Sequence, residues 1–293
     1  MCIMKSLHQN KEWLEEQYSK YGTSTIAKMV GRNDKTIQYW LKKFNIPMRT
    51  RSESMKITEN RIHTVDVDYF KEIDTEEKAY FLGFLMADAN LSIRTDNKHV
   101  ETKSIDLTIH KSDVEILIKL KNAIKCSNEI KPKGNNMRLA IYNTHFADNL
   151  IHWGIAANKT GHEVFPNISE HLKHHFLRGY FDGDGCITWS KNGRLRGKVH
   201  FVSGYEMMKG IKDFIESKGV QYTDKSLHPK KGANAFELET ATLPNIARIY
   251  DIIYKDATVF LTRKKKHFDA FMEQYINSPI AIKRYSPTLY RKV

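Results

Sequence analysis

The sequence contains no apolar run near the ~18 residues that a membrane-spanning helix needs. No secretory-leader pattern opens it, so the expectation is a soluble, cytoplasmic protein. Cysteine is scarce: Cys2, Cys126 and Cys186 are scattered, odd in number and form no CxxC pair. That excludes a disulfide framework, suits a reducing compartment and argues against structural zinc. Acids are also in deficit, with 34 Asp and Glu against 47 Lys and Arg, a formal charge of +13. Such an excess points to a polyanionic partner, nucleic acid first, because neutralising phosphates releases condensed counterions. The basic residues are spread along the chain rather than massed on one amphipathic helix, which disfavours a membrane surface. What remains is ordinary globular stock: 293 residues, 41% hydrophobic, enough for about two domains and a sizeable core.

The first 48 residues read as three short helices, over 11–20, 25–30 and 36–44. Trp13, Leu14, Tyr18, Ile26, Met29, Val30, Ile37, Trp40, Leu41 and Phe44 fall at helical spacing. Gly31-Arg32-Asn33-Asp34 reads as the turn between the second and third, with Asp34 placed to cap the third, and Asn45-Ile46-Pro47 stops it. This is a helix-turn-helix pattern, and its third helix exposes Lys35, Gln38, Tyr39, Lys42 and Lys43, a donor-rich set suited to a major groove. A plain three-helix bundle shares the apolar periodicity. Residues 49–74 carry Arg49, Arg51, Lys56 and Arg61 among polar residues and read as a basic linker able to lie along DNA.

From residue 75 one pattern occurs twice, α-β-β-α-β-β-α, over 75–168 and 169–275, leaving a tail at 276–293. The first copy is expected to have helices at 76–88, 111–124 and 144–153 and strands near 90–95, 103–110, 128–133 and 136–142. The second has helices at 170–184, 205–218 and 243–254 and strands near 186–190, 194–202, 220–227 and 234–241. Ile105, Leu107 and Ile109 alternate with Ser104, Asp106 and Thr108, the mark of a sheet with one dry and one wet face. The wet faces are expected to carry Arg94, Arg138, Lys198 and His200, with Lys133, Lys191, Arg194, Arg196, Lys230 and Lys231 in nearby turns. These residues are candidates for contacts with phosphates and base edges. The fold class is therefore α+β: two pseudo-symmetric halves with antiparallel sheets, plus a small all-α module.

The most specific feature opens each copy. Phe81-Leu82-Gly83-Phe84-Leu85-Met86-Ala87-Asp88-Ala89 and Leu177-Arg178-Gly179-Tyr180-Phe181-Asp182-Gly183-Asp184-Gly185 each place two small residues four apart on one helix face. Facing stripes of small residues let two helices approach closely and bring Asp88 and Asp184 together at their C-terminal ends. A carboxylate there opposes the helix dipole by roughly 0.3–1 kcal/mol, and its repetition suggests a bound cation. Two nearby carboxylates with phosphate oxygens and water suit Mg²⁺. An Asp-Gly turn that merely ends a helix would explain one copy, not two. Asp182-Gly-Asp184-Gly also resembles the start of a calcium loop, but Trp189, Lys191 and Asn192 follow where later ligands belong. His171, His174 and His175 lack partners at zinc-ligand spacing.

On these motifs the chain resembles the LAGLIDADG homing endonucleases, specifically the single-chain kind with two fused motif copies, over about residues 70–275. The resemblance implies that the motif helices form the interface between halves and that saddle-shaped sheets sit in the DNA major groove. It implies a site-specific endonuclease that hydrolyses both strands of a long target with Mg²⁺ or another divalent cation such as Mn²⁺. Asp88 and Asp184, with Ala87 and Gly183, match the metal-binding positions. A basic residue from each half matches Lys159 and Lys264, with Lys265 a rival to the latter. The expected partner is double-stranded DNA, bound by a monomer. An RNA maturase acting on an intron, or a non-catalytic DNA-binding regulator, could use the same fold. Met86 and Ala89 depart from the ideal acid and glycine, and Ala89 is expected to strain its turn.

Overall fold

In the computed structural model, residues 7–50, 53–54, 64–97, 100–157 and 163–278 are described. The chain divides into two compact units, Met1–Thr64 and Val65–Val293.

The first unit holds α1 (Lys11–Lys20), α2 (Thr23–Met29) and α3 (Asp34–Lys43). Leu14, Tyr18, Ile26, Ile37, Leu41 and Ile46 make its core. The cap of α3 is Asn33, one residue earlier than expected. Its side-chain oxygen accepts from the Thr36 N–H at 2.8 Å, and Asp34 becomes a first-turn acid that accepts from Gln38 Nε2. Arg49, expected in a linker, turns back onto this unit: its guanidinium lies 4.1 Å from the Tyr18 ring centroid and donates to the Tyr21 carbonyl. Arg51, Lys56 and Arg61 lie outside the described residues.

The second unit contains the doubled pattern. Its first half runs α4 (Glu76–Asp88), β1 (Ala89–Thr95), β2 (Glu101–His110), α5 (Val114–Ala123), β3 (Lys131–Lys133), β4 (Asn136–Ile141) and α6 (Thr144–His152). The second runs α7 (Lys173–Asp184), β5 (Cys186–Asn192), β6 (Arg194–Ser203), α8 (Tyr205–Ser217), β7 (Leu227–Pro229), β8 (Phe236–Thr240) and α9 (Leu243–Tyr254). Both sheets are antiparallel, in the order β1-β2-β4-β3 and β5-β6-β8-β7. The register confirms the duplication: Asn90 pairs with Asp106 and Cys186 with His200, each two residues beyond a motif acid.

Three local differences from expectation have physical causes. The edge strands β3 and β7 are short. Each contains a proline, Pro132 or Pro229, which cannot donate to a ladder, and residues 223–226 are spent in a turn closed by Thr223 and Ser226. The helices expected from 111 and 170 open with single 3₁₀ turns at Lys111–Asp113 and Glu170–Leu172. A further helix, α10 (Thr262–Ile276), follows α9. It buries Phe268, Phe271, Met272 and Tyr275 at helical spacing, but its run of basic residues at the start hides the pattern.

At the centre, α4 packs on α7. Helix α4 is apolar all round and buried from Ala79 to Ala87, as a helix enclosed on every side must be. The contact is made glycine to backbone. A Cβ on Gly83 would overlap the Phe176 carbonyl oxygen and lie 2.8 Å from the Tyr180 nitrogen. A Cβ on Gly179 would overlap the Tyr80 carbonyl oxygen and lie 2.9 Å from the Phe84 nitrogen. Nothing larger fits at either position.

Candidate active site at the helix seam

The close approach of α4 and α7 determines where their last residues lie. A Cβ on Gly183 would overlap Ala87 Cβ and lie 3.3 Å from Asp88 Oδ2, so the Asp88 carboxylate from one motif rests over the last turn of the other. Asp88 is half-buried and Asp184 exposed. Their charges act on the same groups: both raise the buried Tyr180 hydroxyl, after burial itself, and both favour the Lys264 ammonium. The acids stand where helix gives way to sheet, since β1 begins at Ala89 and β5 at Cys186. Ala89 is not strained: its φ of −77° and ψ of 145° are ordinary extended values, matching Gly185 at −74° and 156°.

Lys264 belongs to this place and Lys265 does not. From the first turn of α10, Lys264 Nζ donates to the carbonyls of Phe181 (2.8 Å), Gly183 (2.8 Å) and Gly185 (2.6 Å). All three of its protons are used on carbonyls at the end of α7, of which that of Phe181 also accepts from the Gly185 N–H. Burial lowers its pKa in spite of Asp182, Asp88 and Asp184 around it. Lys265 turns instead to Asp269, at 2.9 Å, and to the Tyr250 hydroxyl. Lys159, the matching candidate of the first half, lies outside the described residues.

Below the acids sits a polar network that sequence reasoning did not assign. Asp182 is 2% exposed and accepts from Tyr80 Oη (2.8 Å), Tyr254 Oη (2.5 Å) and the Leu261 N–H (2.7 Å). Burial raises its pKa against those three donors and Lys264. One turn earlier Arg178, fully buried, donates to Glu76 (2.5 Å) and to the Val259 and Ile253 carbonyls. The equivalent positions of the first motif are Met86 and Leu82, so this network is built once and joins the halves asymmetrically. The signal was the pair of polar residues, Arg178 and Asp182, where the first motif has Leu82 and Met86.

The candidate DNA-contacting residues fall on two separate units. On α3, Lys35, Tyr39 and Lys42 are exposed, Tyr39 at 58%, whereas Gln38 is half-buried and engaged by Asp34. In the second unit Arg94, Arg194 and Arg196 are exposed. Lys191, Arg194 and Arg196 stand in β5 and β6 rather than in turns, because Gly193, with φ of 75°, reverses the chain alone. Arg138 is paired with Asp106 and Lys198 with Glu237 and Glu239. His200 is half-buried, with a lowered pKa caused first by burial.

Residues 172–254 match the family model for a LAGLIDADG-like domain. The chain is similar in fold, over part of its length, to solved meganucleases. I-AabMI bound to uncleaved DNA shares 13% identity at a TM-score of 0.50, over 69% of this chain and 90% of that one. I-SmaMI bound to uncleaveable DNA with a TTCT central four shares 11% at a TM-score of 0.53, over 71% and 94%. No curated protein sequence matches the chain significantly.

Proposed function

We propose that this chain, a LAGLIDADG protein carrying both motif halves in one polypeptide, is a site-specific DNA endonuclease that hydrolyses a phosphodiester on each strand of its target. The observation that carries the reading is the seam. Two carboxylates, one from each repeat, end helices packed glycine to backbone, beside a lysine that feels both charges. The charge of +13 and the arginines on the sheets support a duplex partner, and the solved relatives in the same fold were crystallised with DNA.

The donors fit a hard divalent cation such as Mg²⁺, which prefers carboxylate and carbonyl oxygens. Asp88 and Asp184 would hold it, with the carbonyls of Ala87 and Gly183 beside them. When bound, the cation supplies Lewis-acid stabilisation of the phosphate and a more acidic water. The protein's own part is positional. Gly83 and Gly179 set the distance between the acids, and Lys264 secures the last turn of α7 that carries Asp184 and Gly183. Asp182, accepting from Tyr80, Tyr254 and the Leu261 N–H, anchors that turn to α4, to α9 and to the chain entering α10. Because both halves are present, the chain works as a monomer. The α3 face, with Lys35, Tyr39 and Lys42, lengthens the recognised site.

The test starts by selecting a bound site from randomised duplex DNA. That site is then incubated with Mg²⁺ and wild type, Asp88→Asn or Asp184→Asn. Wild type is expected to cut both strands and each variant to lose double-strand cutting. Equal cutting by all three proteins would reject the assignment. Binding without cutting by wild type would favour a DNA-binding regulator.

A further inference from the structure

Carboxylates are out of place on a surface that approaches a polyanion, and the second sheet presents two. Along β8, Leu238 is buried while Glu237 and Glu239 turn to the opposite face; along β6, Val199 and Phe201 are buried while Lys198 and His200 turn outward. His200 stands opposite Glu239, and Glu237 lies between Val202 on β6 and His228 on β7. In the first half the position equivalent to Glu237, opposite Thr108, is Arg138. The charge is therefore reversed between matched positions of the repeat.

Lys198 holds the two glutamates together: its Nζ is 3.1 Å from Glu237 Oε1 and also contacts Glu239 Oε2. The ligand atoms of His228, Glu237 and Glu239 lie within 4.8 Å of one another, a spacing that could serve a divalent ion. The ammonium of Lys198 already bridges the carboxylates, which favours a different use. Near DNA, a fixed carboxylate escapes repulsion only by meeting a hydrogen-bond donor. In the major groove those donors are the amines of cytosine N4 and adenine N6. Adenine places its N7 acceptor beside its amine, where a second carboxylate would repel it; cytosine does not. Lys198 has three protons and spends two on the glutamates, leaving one for the O6 or N7 of guanine.

Resting on the reading of the chain as a DNA-binding nuclease, we propose that Glu237 and Glu239, held by Lys198, read one C·G pair. One of the two glutamates accepts the single cytosine N4 proton that base pairing leaves in the major groove, the other stays on Lys198, and the lysine donates to guanine. The contact belongs to the second half alone and makes the two half-sites unlike at that position.

The experiment is selection of bound sites from a randomised duplex library in EDTA, with wild type, Glu237→Gln and Glu239→Gln, each checked for an unchanged thermal midpoint. Wild type is expected to enrich a site with one fixed C·G pair. In the variant of the accepting glutamate, discrimination at that pair should fall about tenfold and shift toward adenine, which glutamine accommodates. Affinity for random duplex should rise in both variants, because repulsion is removed. Identical enriched sites for all three proteins would overturn the proposal while leaving DNA binding intact. So would a preference that wild type shows only with a divalent ion present, which would assign the cluster to a metal. Failure of wild type to retain any DNA would overturn the nuclease reading itself.

Discussion

Replacing Gly179 with alanine tests whether the seam is set by backbone contact. The added Cβ would overlap the Tyr80 carbonyl oxygen and lie 2.8 Å from the Tyr80 carbonyl carbon and 2.9 Å from the Phe84 nitrogen. Carbon contacts ordinarily sit near 3.5–4.0 Å, and these neighbours are backbone that no rotamer change can move, so α4 and α7 must part by about an ångström. Overpacking of this kind costs ~1–3 kcal/mol, and the upper end applies where backbone is struck. Alanine returns ~1 kcal/mol of helix propensity, leaving a net loss of roughly 2 kcal/mol. The same displacement separates Asp88 from Asp184, and misplacement by ~1 Å can cost 10²-fold in rate. Urea unfolding should show a lower midpoint with an unchanged slope, and cleavage of a selected site should fall far more than stability explains. Gly134→Ala is the control: with φ of 61° and nothing within 4 Å, it strains only its own turn and should leave cleavage intact. A Gly179→Ala protein as stable and as active as wild type would refute the reasoning.

Asp182→Asn turns one carboxylate oxygen into a donor facing donors, from Tyr80, Tyr254 or Leu261, and should destabilise the protein by about 1–3 kcal/mol in urea; an unchanged midpoint would contradict the network. Lys264→Met should take the ammonium away from three carbonyls at the end of α7, of which only that of Phe181 keeps the Gly185 N–H, and lower the thermal midpoint. It should also tighten Mn²⁺ binding in a calorimetric titration, because a positive charge leaves the neighbourhood of Asp88 and Asp184; weaker binding would show that the lysine builds the site in another way. His175, pulled down to about 4 first by burial and then by His174 and Arg178, stays neutral in the folded state where the unfolded imidazole takes a proton. Its contribution to stability is therefore full above the unfolded value near 6.5 and declines as the pH falls toward 4. His175→Phe should flatten that decline between pH 7 and pH 5 in unfolding free energies, and parallel curves would contradict it.

The doubled topology was legible because each repeat opens on a paired-small-residue helix and continues through strands that alternate cleanly, as at Ser104 to Ile109. The same helices pointed to the meeting of Asp88 and Asp184, since four-residue spacing of glycine and alanine is a purely local property. Contacts made far along the chain were not legible. Lys264 and Lys265 are neighbours in sequence, and only the packing of α10 turns one toward Asp184 and the other toward Asp269. Asp182 and Arg178 replace the apolar Met86 and Leu82 of the first motif, but their partners Tyr254, Leu261 and Val259 come from segments roughly 75 residues on, whose approach no periodicity encodes. The edge strands were overdrawn because a proline in each and a Thr223–Ser226 turn limit what joins the ladder.

The most direct test of the seam is a crystal of the protein soaked in Mn²⁺ and measured for anomalous scattering. A manganese peak within ligand distance of both Asp88 and Asp184 is the expected result, absent in the Asp184→Asn protein. Manganese found only at His228, Glu237 and Glu239, or nowhere near the ends of α4 and α7, would contradict the claim that the two motif acids form one metal site.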